Sequence, residues 1–390
     1  MRRPRRTVMR LLPILMVAGV AVTGVMASAT ASASAKQAPL PGQLLGISCH
    51  NATSCMAVGA AGGSGLSAHL LADRWNGATW SVVPVPTPPH AQAGDLASVS
   101  CASSSACIAV GSYENTRIVA PLAERWNGTA WAVVHVPQQA AAPDLFGVSC
   151  ATASSCAAVG CSLNGDFCEG TVAYEWNGTA WRAEPTPAGG LRLSSVSCTA
   201  PSACMAVGIG TKGTLTERWN GRAWSVVPSP NPKNRGFLEL DGVSCLAAGC
   251  EAVGSYANNA GAIVTLAGQW DGHAWSIQRS PNPSGALTGL GGVSCSAASA
   301  CTAVGNYDNG TGQTVATALR WNGTAWALQK PSNSHTAVLV DTLSAVSCAA
   351  TARCTMVGYN VFTSRGATRA LAEGWNGTRW AIEPTPAPAH

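Results

Sequence analysis

The chain has 390 residues, 47% of them hydrophobic and only 11% charged, with 16 Cys and 14 Trp. The first 35 positions hold five Arg (Arg2, Arg3, Arg5, Arg6, Arg10) and no acid, so the rest carries 23 − 5 = 18 basic residues against 18 acidic ones. That balance excludes a general electrostatic grip on nucleic acid or on an anionic membrane.

The chain opens with the basic "MRRPRRTVMR", the apolar "LLPILMVAGVAVTGVM" and the small, polar "ASATASASA". This order predicts a secretory signal peptide over 1–35, cut after Ala35. Arg5 and Arg6 also fit a twin-arginine signal loosely, but sixteen Cys that must pair favour the ordinary route. The first Cys is Cys49, too far along for a lipid anchor, and no later stretch is apolar enough to span a bilayer. The expectation is a secreted, extracellular protein with a short linker at 36–43.

From Leu44 onward the sequence repeats itself. "VSC" or "ISC" ends at Cys49, Cys101, Cys150, Cys198, Cys245, Cys295 and Cys348, which gives spacings of 52, 49, 48, 47, 50 and 53 residues. Each unit adds a second Cys, then "AVG" or "MVG", then two Trp five positions apart. Four runs per unit, such as "LFGVSC", "CAAVG", "PLAERW" and "AWSVVPSP", have the β-branched and aromatic content of strands bounded by Gly, Asn and Pro. Seven units of four strands predict an all-β fold, a seven-bladed β-propeller over 44–390. Its blades fall near 44–95, 96–144, 145–190, 191–238, 239–288, 289–340 and 341–390. Small residues three places before the first Cys (Gly46, Ser98, Gly147, Ser195, Gly242, Gly292, Ala345) suit the narrow inner edge of a wedge. The seam between the last unit and the first is expected to be held by packing alone.

In an exported chain an even cysteine count reads as disulfides. The expected pairs are Cys49–Cys55, Cys101–Cys107, Cys150–Cys156, Cys198–Cys204, Cys245–Cys250, Cys295–Cys301 and Cys348–Cys354. All are C-x5-C except Cys245–Cys250, which is C-x4-C. Cys161–Cys168 is an eighth pair, outside the repeat, that pins a loop of the third unit. Neither these spacings nor the scattered His suit zinc, and the single acid of "DNGTG" falls short of a calcium set. No metal and no cofactor is expected.

The phrase "WNGTAW" reads as a hairpin joining strands three and four, with Asn and Gly both taking the positive φ of a tight turn. The turn also accounts for the glycosylation sequons at Asn127, Asn177, Asn322 and Asn376. A ligand site has no need of the same Trp pair in every unit, whereas a repeated core does. The acid before the first Trp (Asp73, Glu124, Glu217, Glu373) is expected to pair with the neighbouring Arg (Arg74, Arg125, Arg218, Arg320) or with another blade.

Function is expected on the face that gathers the unequal links, because binding residues concentrate on loops held by a rigid scaffold. The candidate ligand-binding residues are Tyr113, Glu114, Asn115, Arg117, Tyr256, Asn258, Asn259, Tyr307, Asp308, Asn309, Tyr359, Asn360 and Arg365. Tyr and Asn supply flat apolar surface with donors and acceptors, which suits a glycan or an extracellular protein. No catalytic residues are assigned: G-x-S-x-G and H-E-x-x-H are absent, and no paired acids are evident outside the scaffold positions.

The pattern "SVSC-x5-C-x-AVG…LAERWNGTAW…PTP" resembles a secreted β-propeller repeat of actinobacterial exported proteins, from Leu44 to the C-terminus. It is more distantly similar to kelch or galactose-oxidase-like propellers and to Asp-box propellers of sialidases. Neither distant resemblance carries catalytic residues onto this chain. The expectation is a monomeric, non-catalytic binding or scaffold protein. The alternatives are a secreted carbohydrate-active enzyme and a purely structural envelope protein.

Overall fold

The computed structural model describes residues 42–62, 69–115, 119–138, 142–233, 237–283, 288–332, 338–362 and 368–386. The expected signal peptide, most of the linker, Arg117 and Arg365 lie outside the described residues.

Among the described residues there are twenty-eight strands and no helix. The first strands of the units are β1 (Gly42–Asn51), β5 (Ala93–Ser103), β9 (Ala142–Thr152), β13 (Gly190–Ala200), β17 (Leu238–Leu246), β21 (Thr288–Ala297) and β25 (Val338–Ala350). The second strands are β2 (Ser54–Ala61), β6 (Ala106–Glu114), β10 (Ser155–Asn164), β14 (Ala203–Gly210), β18 (Gly249–Ala257), β22 (Ala300–Asp308) and β26 (Arg353–Phe362). The third are β3 (His69–Trp75), β7 (Val119–Trp126), β11 (Phe167–Trp176), β15 (Gly213–Trp219), β19 (Ile263–Trp270), β23 (Thr314–Trp321) and β27 (Thr368–Trp375). The short fourth strands are β4 (Trp80–Val82), β8 (Trp131–Val133), β12 (Trp181–Glu184), β16 (Trp224–Val227), β20 (Trp275–Gln278), β24 (Trp326–Gln329) and β28 (Trp380–Ile382). Each group of four is an antiparallel meander. Six sheets result, five of four strands and one of eight, in which Thr314 and Val340 join the last two meanders by one parallel pair.

First strands of successive units pack side by side, and β1 packs back against β25. A Cβ added to Gly46 would stand 2.9 Å from Ser98 Cα, and one on Gly147 would stand 3.0 Å from Ser195 Cα. The small residues therefore lie where neighbouring first strands nearly touch. The Ser before each first Cys accepts the backbone N–H of the next unit's Cys. Ser48 takes Cys101, Ser100 takes Cys150, Ser149 takes Cys198, Ser197 takes Cys245, Ser244 takes Cys295 and Ser294 takes Cys348. Ser347 then takes the N–H of Cys49 at 2.9 Å and closes the circuit. The seam is thus held by more than packing, since Trp80 Nε1 also donates to Glu383 Oε2 at 3.0 Å.

Every first strand bulges just after a buried Leu (Leu44, Leu96, Leu145, Leu193, Leu240, Leu290, Leu343). The bulge brings its backbone against the second strand. A Cβ on the Gly of "AVG" or "MVG" (Gly111, for example) would meet a first-strand carbonyl oxygen at 2.1 Å or less in all seven units. Only glycine fits there.

All eight expected disulfides are present. Seven join directly opposed residues of the first two strands, and Cys161–Cys168 ties β10 to β11. The Trp of each hairpin face each other across strands three and four, with ring centroids 5.4 to 5.8 Å apart. Twelve of the fourteen are buried, leaving Trp75 and Trp275 partly exposed, so they act as core. The turn itself differs from expectation. Only the Gly has positive φ, near +100° at Gly128, while Asn127 acts through its side chain. Asn127 Oδ1 accepts the N–H groups of Thr129 and Ala130, both at 2.9 Å.

The acids before the first Trp do not pair with the adjacent Arg, because neighbours on a strand point to opposite faces. Arg74 and Arg320 instead lie over Trp126 and Trp375 of the next unit. Glu373 does reach another unit, its Oε2 accepting Ser332 N–H at 2.7 Å. At the position equivalent to Ser332 every other unit has proline (Pro86, Pro137, Pro187, Pro230, Pro281, Pro386), which has no N–H to give. Both carboxylate oxygens of Asp73, Glu124 and Glu217 are accordingly buried without a hydrogen-bond partner. Burial pushes their pKa up, to about 7, about 8 and about 7.

Candidate functional site

The links between strands two and three, and between one unit and the next, border one end of the ring of first strands. Tyr113, Tyr256 and Tyr307 stand two residues beyond the second-strand Gly and pair with Gly94, Leu238 and Thr288 near the start of a first strand. Tyr256 and Tyr307 fall in consecutive units, whereas Tyr113 belongs to a distant one. Tyr113 and Tyr256 each lean on a hydrophobic cluster, so part of their surface is spent on packing.

Several other candidates shape their own loops. Asn258 Oδ1 accepts the N–H groups of Ala260 and Ala262, Asp308 Oδ1 accepts that of Gly310, and Asn309 Oδ1 accepts that of Thr311. Asn360 is buried and donates to Asp341 Oδ1 at 3.1 Å. Burial raises the Tyr359 phenol, against a hydrogen bond to Thr342. Glu114 and Asn115 are half-buried, and Asn259 is exposed at the tip of its turn.

The fold adds a group that the sequence reading passed over. The residues at the bulges (Leu45, Ala97, Phe146, Ser194, Asp241, Gly291, Ser344) have no cross-strand partner, and a bulge re-aims its side chain. All seven are at least partly exposed, each just after a buried Leu, as expected of a channel wall. Arg192 of the fourth unit places Nη2 3.2 Å from Glu239 Oε2 and 3.3 Å from Asp241 Oδ1 of the fifth. Its Nε donates to Ser194 Oγ at 3.1 Å, and its guanidinium lies 5.8 Å from the Phe146 ring.

Burial raises both acids, Asp241 to about 8. Glu239 opposes a second charge on Asp241, while Arg192 acts to keep both ionised. The pair therefore retains a proton near neutral pH, in the manner of two carboxyls sharing a site. Paired acids do exist here, contrary to expectation. On the open side stand Gly289 and Gly291, where an added Cβ would meet nothing closer than 3.9 and 3.6 Å. The signal was the "ELD" of "LELDGVSC", one unit after "RLSSVSC".

No family model and no curated protein matches the sequence. Among solved structures, U3-55K aligns with a TM-score of 0.53 at 7% identity, covering 80% of this chain and 88% of that one. The RRP9 WD40 repeats align equally well, with a TM-score of 0.53 at 8% identity, over 80% and 86%. The fold is a β-propeller. An Aleuria aurantia lectin in complex with Fucalpha1-6GlcNAc also aligns, at 10% identity over 89% and 97% of the chains, but with a TM-score of 0.46. At these identities the likeness concerns the fold alone. Among the described residues no helix is long and apolar enough to cross a membrane, and no group of three or more potential metal ligands occurs.

Proposed function

We propose that the chain is a seven-bladed extracellular propeller, exported through a signal peptide at 1–35, that acts as a non-catalytic binding module for a glycan or an extracellular protein. One observation carries this reading: the repeated chemistry is consumed by the scaffold, while unrepeated groups of the third, fourth and fifth units meet beside the bulged first strands. The Trp pairs are core, the turn Asn cap their own loops, and the Ser before each Cys closes the ring. What remains unrepeated is Phe146, Arg192, Glu239 and Asp241, beside the loop of Tyr256. Together they offer a cation, a carboxyl pair and an aromatic face next to glycine-lined space.

A glycan array probed with the mature, oxidised protein is the test. We expect selective binding that is lost in Arg192→Ala and in the triple variant Tyr113→Ala, Tyr256→Ala, Tyr307→Ala. Binding that survives both sets of substitutions would remove the site from this face.

The proton shared by Glu239 and Asp241 supports a second reading, a carbohydrate-active enzyme, because paired carboxyls are what acid–base hydrolysis uses. Turnover in a hydrolase and oxidase screen, abolished by Asp241→Asn, would place it first.

A further inference from the structure

The end of the molecule that carries the disulfide turns and the Trp hairpins is the more regular one, yet it is broken at the fifth unit. There the turn between β17 and β18 is one residue shorter than its counterparts, running through Ala247 and Ala248 between Cys245 and Cys250. In four other units the third residue after the first Cys turns its carbonyl onto the indole of the first Trp. Ala52 receives Trp75, Ser104 receives Trp126, Pro201 receives Trp219 and Ala298 receives Trp321. No carbonyl reaches the indole N–H of Trp270 among the described residues, and Trp176 and Trp375 lack one too, behind turns of full length. Cavities of about 190 and about 200 Å³ open on either side of this turn, and Trp270 lines both.

The cavity between the fifth and sixth units has a polar wall that the repeat does not predict. Glu251 occupies the position taken by Met56, Ile108, Ala157, Met205, Thr302 and Thr355 in the other units. It is 4% exposed, and its Oε1 accepts Gln269 Nε2 at 2.9 Å and Gln278 Nε2 at 3.4 Å. Gln278 is itself fixed from the next unit, its Oε1 accepting Trp326 Nε1 at 2.6 Å. This network holds the carboxyl in place but leaves Oε2 buried and unpartnered, on a residue that lines the cavity. A buried acceptor without a partner is costly and calls for a donor that the chain does not supply.

We propose that this cavity binds a single neutral sugar ring, with Glu251 Oε2 accepting from one hydroxyl and the Trp270 N–H donating to another. The choice of class follows from the pair of free groups. A hydroxyl both donates and accepts, so adjacent hydroxyls satisfy the acceptor and the donor together. An ammonium group only donates and would leave the indole N–H unpaired. The cavity admits one ring and is closed below by the Cys295–Cys301 disulfide.

The mature, oxidised protein is titrated with glucose, galactose, mannose, fucose and N-acetylglucosamine, and separately with methylammonium, followed by saturation-transfer NMR and Trp fluorescence. At least one sugar is expected to bind with a Kd of about 1 mM, as suits so small a contact. Glu251→Met, which installs the residue of the first and fourth units, should weaken it by about tenfold or more. Inserting one residue after Ala248, restoring C-x5-C, should abolish it. Both changes lie at the end away from the channel mouth, so a response to them separates this site from that one. Near-UV circular dichroism and thiol titration verify that each variant folds. Three results would each overturn the proposal: no sugar binds, binding persists unweakened in Glu251→Met, or methylammonium binds and no sugar does.

Discussion

The buried acids Asp73, Glu124 and Glu217 show how one missing N–H propagates. In the last unit the same carboxylate has a partner because Ser332, unlike proline, can donate. The three orphaned carboxyls stay protonated in the folded state to about pH 7 or 8, whereas the unfolded chain releases those protons near pH 4. Between these values the folded state binds more protons, so stability is greatest under acidic conditions and falls as pH rises through 7 to 8. We expect the melting temperature to drop by several degrees between pH 5 and pH 8. Glu124→Leu, which copies the buried Leu319 of the sixth unit, should raise the melting temperature at pH 8 and flatten that dependence. An unchanged pH profile in this variant would show that the carboxyl has a partner after all.

At the scale of one unit, a glycine, a bulge and a disulfide solve a single packing problem. The bulge presses the first strand onto the second, which removes room for any side chain on the Gly of "AVG". Gly111→Ala would put its Cβ 2.1 Å from Asp95 O and should cost about 3 kcal/mol in chemical denaturation, as overpacking does. The disulfide across the adjacent turn closes a short loop and contributes on the order of 2 kcal/mol. The Trp pair adds about 1 kcal/mol beyond its buried area. The disulfide and the Trp pair were legible in the sequence because each lies within a few dozen residues of chain, whereas the bulge and the crowding at the Gly emerged only from the register of the first two strands. The turn chemistry was only half legible: "NG" announced the hairpin, but whether Asn works through its φ or its carbonyl depends on a four-residue loop length that neither residue reveals.

For the whole molecule, closure depends on the seam. Gly374 stands where other units carry a larger residue, and a Cβ there would fall 2.2 Å from Glu383 Oε1. That space admits the Glu383 carboxylate, which anchors Trp80 across the seam. Burial raises Glu383, while the Trp80 bond and the charge of Arg353 act to lower it. Glu383→Ala should therefore lower the melting temperature more than Gln329→Ala, because Gln329 at the equivalent place bonds only to the neighbouring Leu328 carbonyl. Equal effects would mean that the ring is held by its first strands alone.

The candidate sites divide along the same line. Tyr113, Tyr256 and Tyr307 could be named from the sequence because they break the repeat, although they lie at the ends of second strands and not in loops as expected. Arg192, Glu239 and Asp241 acquire their meaning only when two units meet. The same holds for Glu251 and Trp270, which come to line one cavity only where the fifth and sixth units meet.

By itself, then, the sequence determined the repeat, the strand pattern, every disulfide and the structural role of the Trp phrase, all of which rest on local spacing and on positions used alike in each unit. Only the tertiary structure decided how the ring closes, which acids lack partners and where cavities open. Those outcomes depend on contacts between residues a whole unit apart, and no local pattern records them.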